Sequence, residues 1–126
     1  QEQVKQILAL IKRQYTDKNI DLDRYLAVCE QTGQEPDPDK MPPAMELYPY
    51  EVQMAFFIYS LLQDTFDGMS GYYLGKRLSG LGDLLDIYNI EDKQTVVYFI
   101  KVIDAERGAS INEEVNRKQK AAKRKK

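Results

Sequence analysis

Apolar residues recur every three or four positions along the first seventeen residues, as Val4, Ile7, Leu8, Ile11 and Tyr15. That spacing lines one face of a 3.6-residue turn, so it predicts an amphipathic helix over residues 3–17. A second stripe, Leu22, Tyr25, Leu26 and Cys29, predicts a helix over 22–32. Asn19 and Asp21 are placed to cap its start, and Gly33 to stop it. The periodicity then breaks. Residues 34–43 hold four of the five prolines, interleaved with acids. Proline removes a backbone donor and pushes the preceding residue toward extended geometry, so 34–48 reads as an acidic linker.

Apolar density peaks next, in Val52, Met54, Ala55, Phe56, Phe57, Ile58, Tyr59, Leu61 and Leu62. Pro49 suits a helix's first turn, and the length favours a helix over 49–63 at the centre of the core, although the aromatic and β-branched content leaves a strand open. After a glycine-rich turn at 64–77, Leu78, Leu81, Leu84, Leu85 and Tyr88 resume helical spacing up to a stop at Asn89. Gly80 and Gly82 weaken that helix by about 1 kcal/mol each relative to alanine, a cost expected where another helix crosses closely. Asp92 can cap a last helix carrying Val96, Phe99, Ile100 and Ile103, with a fainter pattern through Arg107, Ile111 and Val115. Gly108 is a candidate kink, and no apolar stripe follows Asn116. There is no strand-type alternation and no internal repeat. The fold class expected is all-α, a compact bundle of about five helices in a single domain. Its parts are a helical hairpin (1–33), the linker (34–48), a core (49–116) and a tail (117–126).

Composition sharpens this picture. A chain of 126 residues with 43% hydrophobic side chains is long enough to bury one core. The longest apolar run, residues 54–59, is far too short to span a bilayer, and the opening residues lack the form of a secretory leader. A single cysteine, Cys29, excludes an intramolecular disulfide, so the compartment expected is a reducing cytoplasm. The net charge of −2 conceals an asymmetry. Arg117, Lys118, Lys120, Lys123, Arg124, Lys125 and Lys126 crowd the tail, leaving eleven bases against twenty acids before it. An acidic body with a basic end can engage two different partners.

Much chemistry drops out. Without histidine there is no imidazole base, no Ser-His or Cys-His nucleophile and no imidazole metal ligand. One cysteine cannot build a thiolate zinc site. Gly75-Lys76 is followed by Arg77 and preceded by Ser70 at the position where a phosphate-binding loop needs glycine. The stretch from Asp64 opens like a calcium loop, but Phe66, Gly68 and Gly75 occupy ligand positions. Neither a cofactor, a metal nor a small-molecule substrate is therefore expected. The carboxylate pairs Asp64/Asp67, Asp83/Asp86, Glu91/Asp92 and Asp104/Glu106 read more simply as caps, turn formers or solvated faces than as acid–base pairs. The expectation is a non-enzyme.

What remains is interaction. Five of seven glycines fall between residues 68 and 82, and nine tyrosines stand against no tryptophan. Tyrosine joins apolar area to a polar tip, which suits protein interfaces. Adjacent Tyr72 and Tyr73 cannot easily face one core, so at least one should be exposed. With Phe66 and Met69 they are candidates for a protein-docking surface, edged by Lys76 and Arg77. The tail has two readings, a phosphate-binding segment or a solvated, disordered terminus, and lacks the aromatics that would stack bases.

Three stretches, Tyr50-Glu-Val-Gln-Met-Ala-Phe, Phe66-Asp-Gly-Met-Ser-Gly-Tyr-Tyr-Leu-Gly-Lys and Leu81-Gly-Asp-Leu-Leu-Asp-Ile-Tyr, resemble small helical accessory proteins of tailed bacteriophages, notably tail-assembly chaperones, over residues 47–107. The resemblance implies a chain that binds other proteins without catalysis. It would serve virion assembly in the host cytoplasm, with virion association open, and no active residue carries over. The alternative is a transcription or other nucleic-acid accessory factor working through the basic tail.

Overall fold

The computed structural model describes residues 2–16 and 22–124. These form two compact units, Gln1–Tyr48 and Pro49–Lys126, where the sequence reading joined all parts in one domain. The proposed caps Asn19 and Asp21 lie outside the described residues, as do Lys125 and Lys126.

In the first unit, α1 (Glu2–Gln14) buries Ile7 and Ile11, and α2 (Leu22–Thr32) buries Cys29. α1 ends before Tyr15, whose amide returns to the Lys12 carbonyl. Gly33 adopts φ +73, and the Gln34 amide closes on the Cys29 carbonyl, giving the left-handed stop expected from the sequence. The proline-rich stretch is not a plain linker. It winds through two 3-10 turns, Pro38–Lys40 and Met45–Leu47, and buries Pro43 and Tyr48. Arg13 Nη2 donates to the carbonyls of Pro38 (2.5 Å) and Met41 (3.0 Å), and Tyr48 donates to Gln14 Oε1 (3.0 Å). Proline-rich backbone leaves carbonyls without helical partners, and a guanidinium satisfies two of them at once.

The second unit is built on α3 (Tyr50–Leu61) packed against α5 (Lys93–Arg124). Val52, Ala55, Ile58 and Tyr59 face Val96, Phe99, Ile100 and Ile103, all buried. The strand alternative for this segment is excluded. Between the two helices the chain is not purely helical, which corrects the all-α expectation: the fold is mostly helical with a small sheet. β1 (Asp64–Phe66) pairs antiparallel with β2 (Tyr73–Lys76) in the register Asp64↔Lys76, Thr65↔Gly75, Phe66↔Tyr73, with a bulge between Thr65 and Phe66. Strands of three and four residues are too short to print an alternation on the sequence, and the bulge breaks the little there is.

α4 (Leu81–Ile87) is shorter than expected, because Gly80 at φ +86 precedes it instead of lying within it. Nothing approaches within 4 Å of a Cβ built on Gly82, so no helix crosses there. The close crossing falls at Gly108, where an added Cβ would stand 3.0 Å from the Tyr73 ring. This glycine is a slot for an aromatic ring, and α5 runs through it as one helix to Arg124. Asn89 (φ 53) ends the α4 region and Asp92 caps α5 through the Thr95 amide and hydroxyl, both as the sequence predicts. The described part of the basic tail is helical. Among the described residues no helix is long and apolar enough to cross a membrane.

Candidate functional site: a hairpin clasped to the long helix

The β1–β2 turn is shaped by Asp67. Its Oδ2 accepts from the Ser70 amide (3.0 Å) and hydroxyl (2.5 Å), while its backbone pairs with Tyr72 and Gly71. The Ser70 hydroxyl and amide hold the Asp67 carboxyl below the usual range. This is the turn-forming role expected of it. Asp64, expected to do the same, instead faces α5.

There it meets a polar chain. Arg107 grips Asp64 in a two-pronged bond, Nη1 to Oδ1 at 2.8 Å and Nη2 to Oδ2 at 2.9 Å. Lys76 Nζ sits 3.0 Å from the same carboxylate, donates to the Leu62 carbonyl (2.8 Å) and lies 4.6 Å from the Tyr59 ring centre. Arg107 Nη1 also donates to the Tyr59 hydroxyl (3.1 Å), which donates to Asp104 Oδ1 (2.9 Å). Tyr73 donates to that same oxygen at 2.5 Å and lies 3.1 Å from the Tyr59 hydroxyl. Two carboxylates, two cations and two phenols thus close into a charge-balanced clasp. Among the described residues no buried side-chain nitrogen or oxygen lacks a partner.

The clasp's electrostatics suit holding. The Arg107 guanidinium beside Asp64, helped by Lys76, keeps that carboxyl far below the usual range, and Asp64 in turn raises the Arg107 pKa. Burial pushes the Tyr73 phenol well up, reinforced by its bonds to Asp104 and Tyr59, and burial raises Tyr59 too. These shifts favour an ionised Asp64 and Arg107 and neutral Tyr59 and Tyr73, the states in which the clasp's donors and acceptors match. Gly75, at φ +110, completes the fit: a Cβ there would stand 3.1 Å from Asp104 Oδ2.

Beyond the clasp, α5 presents Asn112, Asn116 and Gln119 to the hairpin. Asn112 brackets Tyr73, accepting from its amide (2.7 Å) and donating to its carbonyl (3.2 Å). Tyr72 donates to Asn116 Oδ1, and Gln119 Nε2 to the Ser70 carbonyl (3.1 Å).

The six candidate docking residues divide accordingly. Tyr73 and Lys76 turn inward, with Tyr73 buried and the Lys76 side chain only 8% exposed, so neither is offered to a partner. Phe66, Met69 and Arg77 stand exposed, and Tyr72 is half-buried against Asn116. Met69, at the turn, is 98% exposed. Leu74, 64% exposed, joins this outer side and was missed. No alternation marked it, because Tyr73 and Lys76, an odd number of residues apart, both turn inward across the bulged hairpin. Asp104 had been paired with Glu106, yet positions two apart on a helix diverge, and its partners are the hydroxyls of Tyr59 and Tyr73. A cleft of about 330 Å³ between Tyr50, Met54, Ile90 and Val96 takes in none of the six candidate docking residues, and Glu91 and Asp92, one of the carboxylate pairs, stand on its wall. Among the described residues no group of three or more carboxylates or thiols is placed to hold a metal ion.

No known protein family, curated protein or solved structure matches this chain.

Proposed function

We propose that this chain is a non-catalytic assembly factor that binds another protein through the outer side of its hairpin. The observation that carries the proposal is the contrast across a few residues. The hairpin is pinned to α5 through Tyr73, Lys76 and Asp64, while Met69, Leu74 and Phe66, the last beside the Tyr73 ring, keep large apolar area exposed to solvent. A rigid support beneath exposed apolar side chains lowers the ordering cost of docking. The candidate residues that remain outward, Phe66, Met69, Tyr72 and Arg77, form the contact, with Leu74 added. The partner this reading favours is a structural protein of a tailed phage, met in the host cytoplasm during tail assembly, as the sequence resemblance implies.

The test is site-specific photo-crosslinking from position 69 in infected cells, followed by the same experiment with Phe66→Asp. Adducts with a tail component that vanish in the Phe66→Asp chain support the proposal. Adducts confined to host polymerase subunits replace it with a host-directed role, and adducts indifferent to Phe66→Asp overturn docking by this surface.

A further inference from the structure

We infer that the last two turns of α5 form a phosphate-binding arm for duplex nucleic acid, preformed by the hairpin that clamps it. Residues 117–124 carry Arg117, Lys118, Lys120, Lys123 and Arg124 with no acid, and all of them are exposed. Like charges three and four apart, as in Arg117/Lys120, Lys120/Lys123 and Lys120/Arg124, oppose a helix. The chain is nevertheless helical to Arg124.

The hairpin supplies what the segment lacks. Asn112, Asn116 and Gln119, at i, i+4 and i+7, occupy one face of α5, and each bonds to the Ser70–Tyr73 stretch. These bonds reach Gln119, within the basic segment itself. Favourable alignment of cations with the negative helix end adds to them. Arg117, Lys120 and Arg124, at i, i+3 and i+7, then form a stripe turned about a hundred degrees from the clamped face. Arg117 is also paired with Glu114 three residues back, so Lys120 and Arg124 carry most of the stripe's charge, with exposed Lys123 and Lys118 on either side of it.

The chemistry selects the ligand. Successive cations of the stripe rise about 4.5 and 6 Å along the axis, close enough for long side chains to reach successive phosphates of a strand that advances about 3.4 Å per nucleotide. Residues 112–124 contain no aromatic side chain, which removes the stacking platform a single strand would use. Their apolar residues after Asn112 are Val115, Ala121 and Ala122, too few and too small for the apolar face of a membrane-surface helix. The acidic remainder of the chain repels a polyanion, so contact is confined to the arm. Binding is without sequence preference, because phosphates alone are read.

The experiment uses the full chain and a fluorescein-labelled 20-base-pair DNA of mixed sequence, followed by anisotropy from 20 to 200 mM salt. Affinity should fall steeply, with a log–log slope of about −3 for three to four neutralised phosphates. The combined Lys120→Gln, Lys123→Gln, Arg124→Gln chain should lose at least about tenfold in affinity and most of that slope while keeping its circular dichroism. Asn116→Ala with Gln119→Ala retains every cation of the arm. It should weaken binding a few-fold and lower helix content at the C-terminal end. Absence of duplex binding at 20 mM salt overturns the inference, as does unchanged binding by the triple variant. Equal or tighter association with phosphatidylserine–phosphatidylcholine vesicles overturns it in favour of a lipid surface. Full affinity in the Asn116/Gln119 variant overturns the hairpin's part in it.

Discussion

The two units hold their shape by different means. In Gln1–Tyr48, the guanidinium of Arg13 ends on the backbone carbonyls of Pro38 and Met41, and the Asp37 amide ends on the Tyr25 hydroxyl. These side chains serve main chain that proline has deprived of regular partners, beside the bond from Tyr48 to Gln14. In Pro49–Lys126, side chains serve one another: Lys76, Asp64, Arg107, Tyr59, Asp104 and Tyr73 form one connected chain of bonds between hairpin and helix. A bond to exposed backbone can be replaced by water when it is lost. A member of a half-buried network leaves its neighbours desolvated and short of partners. The second unit should therefore respond to single substitutions as a whole, and the first bond by bond.

The largest expected effect tests that directly. Tyr73→Ala empties the slot over Gly108 and removes a donor to Asp104, so it should cost about 3–5 kcal/mol in denaturant unfolding, with protection lost along both strands. Loss confined to residues near position 73 in amide exchange would show that the clasp is not a unit. Gly108→Ala approaches the same ring from the other side. Alanine gains about 1 kcal/mol of helix propensity over glycine, against roughly 1–3 kcal/mol of overpacking at 3.0 Å from Tyr73. Net destabilisation is expected; a more stable protein would mean that the ring yields.

Next in size is a matched pair of arginines. Arg107→Ala should cost about 2 kcal/mol, below the 3–5 of a fully buried pair, because Arg107 and Asp64 keep 26% and 29% exposure. Arg13→Ala removes two bonds to backbone, one exposed and one part-buried, and should cost about 1 kcal/mol, seen as faster exchange in residues 37–43. Equal costs would erase the distinction between the units.

The fold was legible where caps and stripes act locally. Asp92, Asn89 and Gly33 do what their types predict, and the facing apolar rows of α3 and α5 are in the text of the chain. The hairpin was not legible, because β1 and β2 are too short for alternation and the glycines that mark the turn also occur in helix connections. The sequence left the order of the basic tail open, because its helix rests on Asn112, Asn116 and Gln119 bonding to residues some forty to fifty positions away. The candidate site was half legible: composition found the aromatic turn, but only tertiary contact decides that Tyr73 and Lys76 are covered while Phe66 and Met69 stay exposed.

Titration bears on the two units differently. Asp64, Asp67 and Asp92, all in the second unit, have carboxyls held below their usual 3.8 by hydrogen bonds and, for Asp64, by two cations. Folding favours their ionised form, so their stabilisation is complete above about pH 4 and is lost as pH falls below it. Protection of the hairpin and α5 should decline there, and Asp64→Asn should flatten that decline. At the alkaline end, burial pushes Tyr48 up to about 12. Folding favours its neutral phenol, so the first unit keeps this contribution below pH 10 and loses it progressively between 10 and 12. A Tyr48→Phe chain should lack that alkaline loss; a wild-type alkaline transition unchanged by Tyr48→Phe would assign it to Tyr59 and Tyr73.

The smallest effects belong to the hairpin's outer side, and their smallness is the point. Met69 touches little, so Met69→Ala should change stability by less than about 0.5 kcal/mol. Phe66 is half exposed, yet its ring meets Tyr73 edge-on at 5.4 Å, so Phe66→Ala should lose about 0.5–1.5 kcal/mol. That gradient, from a residue at the turn with no structural duty to one that leans on the clasp, is what a supported docking surface requires. The measurement is equilibrium unfolding of both variants beside amide exchange in β1 and β2. If Met69→Ala destabilises the hairpin as much as Phe66→Ala, its side chain has a structural task that its exposure conceals. The outer side would then be a continuation of the clasp, and the contrast on which docking rests would fail. If Met69→Ala is neutral in folding while lowering crosslink yield from a neighbouring position, such as 74, stability and binding separate across the hairpin. Its inward side then answers for the fold, and its outward side for the partner.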